Sequence, residues 1–298
     1  VALLSGRNFE TRTYEDEIAE RSFERLKTGV RNFINETNFK RFVMIVRSAG
    51  FIASNLIRSQ NALNFAYVLY LKLSELKTPH QDIERYVRKW LVMSLLTVRY
   101  SSSPESQFDF DIRRLSSQPF GEFLSEVESA QLSDAFWDAE LLQRLSTTSL
   151  NAPYFSVYLA SQVFFGDKGF LSRDITVEDL ITYRGDIHHV FPKDYLKKIG
   201  LTKGDYNQIA NYVYMQSETN IKIGNKAPTE YFSHVSQQCN GGPLVYGGID
   251  NTDALHENLA SHCIPGMVST ATSEDYQEFL KQRRKLMAEK MRAYYGAL

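Results

Sequence analysis

The chain has 298 residues, of which 43% are hydrophobic and 13% aromatic, so it can bury a sizeable core. Its formal net charge of −1 gives no sign of the basic face that a dedicated DNA-binding domain usually carries, so any affinity for nucleic acid must come from local charge, from a metal or from another domain. With only two cysteines, the chain cannot form a disulfide framework or a four-cysteine zinc site, and this predicts a reducing compartment.

The apolar segments of the chain are short. None approaches the roughly 20 consecutive residues of a membrane span, and residues 1–30 lack the apolar core of a signal peptide. We therefore expect a soluble, cytoplasmic protein with no membrane partner.

The N-terminal part of the chain is predicted to be helical. Apolar residues recur at helical spacing, and Pro79 separates two of the expected helices. We predict helices over residues 15–28, 39–58 (interrupted at Gly50), 61–76, 82–98, 109–115, 120–128 and 151–165.

The glycine-containing turn at residues 166–169 is the predicted domain boundary. After it, short β-prone segments appear at residues 187–191 and 212–215. Short helices are expected over residues 193–199, 202–209 and 217–223, a loop over residues 238–253, and a final helix over residues 273–295 with Ser273 as its N-cap. The fold class is therefore mainly α (α+β), with a helical domain at residues 1–166 and a second domain at residues 167–298 that holds a small two-stranded sheet.

One set of polar residues in the second domain has the composition of a phosphodiesterase site. Residues 186–192 read Asp-Ile-His-His-Val-Phe-Pro, Asn211 follows His189 by 22 residues, and Asn220 lies nine further on. A histidine can take the proton of an attacking water, and a divalent metal can act on the scissile phosphate. Because neighbouring residues of a strand point to opposite faces, one histidine is expected to ligate the metal and the other to act as base. Asn211 could hold the base histidine through a side-chain hydrogen bond.

These residues resemble the HNH, or ββα-metal, nuclease motif. Residues 223–232 and the terminal helix around residues 279–284 are similar to the C-terminal nuclease domain of GmrSD-type restriction proteins. Upstream, residues 99–101 and 108–111 resemble the helical region that precedes that nuclease. The resemblance is specific at residues 186–232 and diffuse before residue 170.

The resemblance implies a role for each matching residue. His189 is expected to be the general base, and Asn211 the residue that orients it. His188 and Asn220 are expected to ligate a divalent metal, Mg²⁺ or Mn²⁺. Asp186 is expected to be a ligand or a partner of one, and Lys226 either a phosphate contact or a solvated lysine.

The first hypothesis is therefore a metal-dependent HNH endonuclease that acts on DNA, in bacterial defence against foreign, often modified, DNA. The nucleotide-dependent domain that usually begins GmrSD-like proteins carries an Asp-Gly-Gln-Gln-Arg motif, and no such stretch is present. We therefore expect either a C-terminal fragment or a nucleotide-dependent sensor on another chain. Cleavage of RNA ranks lower, because the sequence offers no aromatic stacking platform. The alternative hypothesis is a helical protein-interaction or regulatory module with a catalytically silent nuclease fold.

Overall fold

The computed structural model describes residues 5–8, 11–183 and 185–298. Within these ranges the chain is mainly helical with one small two-stranded antiparallel sheet, so the predicted fold class is confirmed at that level. The helices before residue 166 are α1 (Asp16–Phe33), α2 (Glu36–Ser48), α3 (Gln60–Glu75), α4 (His80–Leu96), α5 (Pro104–Ser117), α6 (Phe120–Gln131), a π-helical turn (Phe136–Glu140), α7 (Leu141–Arg144) and α8 (Pro153–Phe164).

The second part of the chain alternates short elements with two longer helices. Its elements are α9 (Val177–Tyr183), β1 (Asp186–His189), α10 (Lys193–Lys198), α11 (Lys203–Tyr206), β2 (Tyr212–Met215), α12 (Ser217–Ile223), α13 (Pro228–Cys239), α14 (Thr252–Ser261) and α15 (Tyr276–Ala297). The strand predicted over residues 212–215 and the helical turn predicted over residues 217–223 are confirmed.

Helix α4 is the centre of the N-terminal helical layer. It packs against α3 on one side and α8 on another, and Trp90 and Leu91 are completely buried. The helix predicted over residues 61–76 is confirmed as α3, and its residues Ala66, Tyr67 and Leu73 are all buried. Burying such residues is the main favourable term in folding.

The predicted domain boundary lies at a turn directly after α8. Gly166 has a φ of +70°, which a glycine adopts without strain. The hydrophobic cluster continues across this turn, since α8 packs against α15. Lys290 of α15 also donates a 2.6 Å hydrogen bond to the carboxylate of Asp167. The division into two domains stays a prediction.

Several predicted helix boundaries are wrong by three residues or more, and the structure gives a clear physical reason for two of them. α2 ends at Ser48 rather than running to residue 58, because Gly50 takes a φ of +91° with its Cα against the carbonyl of Ala160. α15 begins at Tyr276, so its N-cap residue is Asp275 and not the predicted Ser273. The Asp275 carboxylate accepts hydrogen bonds from the backbone and hydroxyl of Thr272, which fixes the start of the helix.

A buried ion pair links the end of α4 to α5. Asp111 is fully buried and accepts hydrogen bonds from Arg99 Nε (2.9 Å) and Nη2 (2.5 Å). The hydroxyl of Tyr100 donates to the same carboxylate at 2.8 Å, and the amide of Gln107 at 3.1 Å. Trp90 in turn donates from its indole nitrogen to Tyr100 at 3.0 Å. The segments at residues 99–101 and 108–111, singled out in the sequence, therefore form a structural network.

His262 is completely buried where α14, α8 and α15 meet. Its Nε2 donates to the carbonyl of Lys168 at 2.8 Å, and its Nδ1 accepts from the amide of Gln162 at 3.3 Å. Burial, with a smaller effect from the nearby cations of Arg283 and Lys290, lowers its pKa to about 3. The ring is therefore neutral, and protonation would place a third positive charge in the interior.

This histidine is expected to make stability fall in acid. Its folded-state pKa lies below the unfolded value of about 6.5, so its contribution is complete above pH 6.5 and is lost as the pH falls toward 3. The loss from this one group is at most about 1.4 kcal/mol per pH unit, or about 2 kcal/mol between pH 6.5 and 5. Urea unfolding at pH 7 and pH 5 should show a smaller decrease for His262→Gln than for the parent, whereas equal decreases would contradict the assignment.

No helix in the described ranges combines the length and the apolar character needed to cross a bilayer.

Candidate functional site

The two strands of the sheet place the histidine pair at the end of a hairpin. β1 and β2 are antiparallel, with His188 opposite Val213 and His189 opposite Tyr212. Adjacent strand residues project to opposite faces, so His188 shares a face with Asp186. Both histidines nevertheless reach the same cavity, because β1 ends at His189.

The structure brings His188, His189 and Asn220 to one cavity of about 280 Å³. Asn220 lies on α12, and β2 carries the chain back from the long connection after β1 to the start of this helix. The histidine pair and Asn220, which are at least 31 residues apart in sequence, thus line the same cavity. The cavity is completed by Pro192, Lys193, Asp194, Ile221, Gly224 and Asn225.

His189 is held by an asparagine that the sequence did not point to. Its Nε2 lies 2.9 Å from the side-chain oxygen of Asn207, and the rings of Tyr206 and Tyr212 pack edge-on against the imidazole. Burial lowers the pKa of His189; the Asn207 hydrogen bond partly opposes this effect, and the charge of Lys193 adds to it. The ring is therefore neutral near pH 7 and able to accept a proton.

His188 carries a nitrogen with no hydrogen-bond partner. Its Nε2 is buried and bonds to no residue that the structure describes. Burial lowers the pKa of this histidine, while the carboxylate of Asp186 acts in the opposite direction. A buried, neutral imidazole with an unused nitrogen lone pair has the state that metal ligation requires.

Asn211 does not bond to His189, so the predicted hydrogen bond is wrong. Asn211 is fully buried; its side-chain oxygen accepts from the backbone of Phe191 at 2.9 Å, and its amide donates to the carbonyls of Phe191 and Tyr206 at 3.1 Å each. The reason is positional, because Asn211 immediately precedes the partner of His189 in β2 and therefore faces the backbone beyond the strand end. Its effect on the site is to fix the exit of the histidine strand.

Asp186 and Lys226 lie outside the lining of the cavity. The Asp186 carboxylate accepts a 3.0 Å hydrogen bond from the hydroxyl of Ser217, which ties β1 to the start of α12. The ammonium of Lys226 donates to the carbonyls of Lys222 (2.9 Å) and Ile223 (3.4 Å). It therefore neutralises the partial negative charge at the C-terminal end of α12.

The cation at the cavity is Lys193, which sequence reasoning left without a role. This exposed residue is the first of α10 and lines the cavity. Its ammonium forms no hydrogen bond or ion pair with the described part of the chain, where the adjacent Asp194 pairs with Lys197. The signal for it in the sequence is its position directly after Pro192, at the exit of the histidine strand.

Arg283 connects the hairpin to the last helix. Although it is a charged residue, its side chain is completely buried. Its guanidinium donates to the carbonyls of Ala210 (2.9 Å), Tyr212 (2.7 Å) and His262 (3.2 Å). Phe191 adds ring contacts with α15. Arg283 lies four residues after Phe279, on the apolar face of the helix, and this spacing is the signal that could have shown its burial.

The donor set that the cavity offers to a divalent ion is small. Within the described ranges no three His, Cys, Asp or Glu side chains converge on a metal position. The buried His188 Nε2 has no hydrogen-bond partner there, and Asn220 lines the same cavity. Mg²⁺ and Mn²⁺ accept oxygen ligands and keep water or phosphate in several positions. Two protein ligands therefore suffice for an ion whose other ligands come from solvent and substrate.

Comparison with known proteins found a distant relative whose function is uncharacterized. The chain is similar to an uncharacterized protein of Methanocaldococcus jannaschii, with 25% identity over 232 residues. The match covers 72% of this chain and 38% of the relative, so the chain spans less than half of that protein's length. No family model matches the chain, and no solved structure matches it. The function must therefore be argued from the site.

Proposed function

We propose that this chain is a metal-dependent HNH (ββα-metal) endonuclease that hydrolyses DNA phosphodiester bonds. The observation that carries the proposal is the convergence of His188, His189 and Asn220 on one cavity. The order of two antiparallel strands followed by a helix supports the same motif, since β1 carries both histidines, β2 pairs with β1, and α12 carries Asn220.

The side chains divide into a metal-holding pair and a base. His188 and Asn220 would hold Mg²⁺ or Mn²⁺, and the bound metal would polarise the phosphate and stabilise the departing oxygen. Lys193 lines the same cavity, and its ammonium forms no ion pair with the described residues, since the neighbouring Asp194 pairs with Lys197. It would contact the phosphate and offset its charge.

His189 would act on the water. Its Nε2 is engaged by Asn207, so Nδ1 is the nitrogen that accepts the proton. As the proton leaves, the water oxygen bonds to phosphorus and the bond from phosphorus to the 3′ oxygen breaks. The 3′ oxygen takes a proton from solvent, so the products carry a 5′-phosphate and a 3′-hydroxyl.

The biological setting is proposed from the resemblance of residues 186–232 to GmrSD-type restriction proteins. In that setting the nuclease would cut modified foreign DNA in the cytoplasm. A nucleotide-dependent sensor domain or subunit would control it, and the helical layer of α2–α8 would connect the two.

Metal binding by His188 tests the proposal directly. Titration calorimetry with Mn²⁺ should show binding to the parent, and binding at least about tenfold weaker for His188→Ala, because the unused imidazole nitrogen is lost. Plasmid cleavage in Mn²⁺ should fall in parallel. His256→Ala is the matched control, since His256 is exposed on α14 and should change neither measurement.

Two results of the Mn²⁺ titration would contradict the proposal. If Mn²⁺ binding were absent from the parent, or equal in the parent and His188→Ala, the metal site would be wrong. Absence of both Mn²⁺ binding and plasmid cleavage would favour the interaction or regulatory module with a silent nuclease fold.

A further inference from the structure

Asn207 makes the one hydrogen bond that the His189 ring forms within the described ranges. Its side-chain oxygen lies 2.9 Å from Nε2. Asn207 sits between α11 and the short 3₁₀ turn Ile209–Asn211, and its backbone amide donates to the carbonyl of Lys203 at 3.2 Å. The asparagine is therefore anchored through its own backbone and half-buried beside the ring.

The chemistry of this contact selects one form of the imidazole. An amide oxygen can only accept a hydrogen bond, so Nε2 must carry the proton. In a neutral ring the other nitrogen, Nδ1, then holds the free lone pair. In the opposite tautomer, the lone pair of Nε2 would face the amide oxygen, and the two would repel each other.

We propose that Asn207 is a positioning residue that locks His189 in the Nε2–H form and so reserves Nδ1 for the proton of the attacking water. This inference rests on the proposed nuclease function and deepens it. It also reassigns the orienting role, because Asn211 is fully committed to the backbone of Phe191 and Tyr206.

The neighbours of the ring leave this role to Asn207. The rings of Tyr206 and Tyr212 have centroids 6.2 and 5.0 Å from that of His189 and are tilted by 66° and 77°, so they restrict the plane of the imidazole. Aromatic edges restrict rotation but do not distinguish the two nitrogens. The hydrogen bond to Asn207 is the contact that does.

The tautomer can be read without any catalysis. ¹⁵N chemical shifts of His189 in the metal-free protein should show a protonated Nε2 in the parent. Asn207→Leu has nearly the same shape and no acceptor, so the Nδ1–H form should become populated. Asn207→Asp restores an acceptor at the same position and should restore the Nε2–H form.

Cleavage rates give the second readout. Asn207→Leu should lower kcat by about tenfold to a hundredfold with little change in KM, the range found when a residue that orients a metal-binding histidine is removed. Asn207→Asp should recover much of that loss. Asn240→Leu is the matched control, because Asn240 is exposed at the end of α13 and should leave kcat unchanged.

The outcomes separate the inference from the proposed function. An unchanged tautomer in Asn207→Leu would overturn the inference even if the parent cleaves DNA. A changed tautomer with unchanged kcat would also overturn it, because Nδ1 would then not be the base. If the parent cleaves no DNA, the proposed function fails and the catalytic role of Asn207 fails with it, although the shifts still report the tautomer.

Discussion

Replacement of His189 by alanine should lower the rate of plasmid cleavage by roughly 10²–10⁴-fold, the usual effect of removing a general base. The imidazole borders the cavity with His188 and Asn220, and burial keeps it neutral near pH 7. The other candidate bases that line the cavity have other roles, since His188 would hold the metal and the carboxylate of Asp194 pairs with Lys197.

The measurement is single-turnover cleavage of supercoiled plasmid in Mg²⁺ or Mn²⁺. His189→Gln should lose activity to a similar extent, because glutamine can still donate to Asn207 but cannot accept the proton near neutral pH. Mn²⁺ binding should persist in both variants, since the base does not hold the metal. Cleavage by His189→Ala at the parental rate would end the assignment of His189 and point to a contaminating nuclease.

Replacement of Asp111 by alanine should destabilise the protein by about 3–5 kcal/mol. The side chain of Arg99 is only 4% exposed, so loss of the carboxylate leaves a guanidinium inside the protein without an anion. The hydroxyl of Tyr100 and the amide of Gln107 lose their acceptor at the same time. The loss of stability thus comes more from the buried donors that lose their acceptor than from the interaction energy of the ion pair itself.

The matched control lies on the same helix. Asp109 forms an exposed ion pair with Arg113, and Asp109→Ala should change stability by no more than about 0.5 kcal/mol. Urea denaturation followed by circular dichroism compares the two variants. Equal unfolding midpoints for Asp111→Ala and Asp109→Ala would refute the proposed energetic importance of the network.

The sequence predicted the elements that carry the site better than the contacts within it. β2 and α12 are short, but the order of apolar and polar residues along them predicts their bounds correctly, at residues 212–215 and 217–223. The shared cavity of His188 and Asn220 also follows the order of the motif. These features depend on local pattern, which a single sequence contains.

The remaining features depend on packing between distant segments. Asn207 and Asn211 are only four residues apart and chemically identical, so no local signal decides which of them meets His189. That choice is made by the hairpin register, which turns Asn211 toward Phe191. Lys226 likewise looks available for phosphate in the sequence, but the carbonyl end of α12 engages it.

The buried guanidinium of Arg283 has a consequence for protein engineering. It joins the backbone beside β2 to a helix that begins more than 60 residues later, and no carboxylate in the described ranges balances its charge. A minimal catalytic fragment that stops after α12 would leave the Ala210 and Tyr212 carbonyls without their donor. Any shortened or transplanted version of the hairpin therefore has to retain the C-terminal segment as part of the same unit.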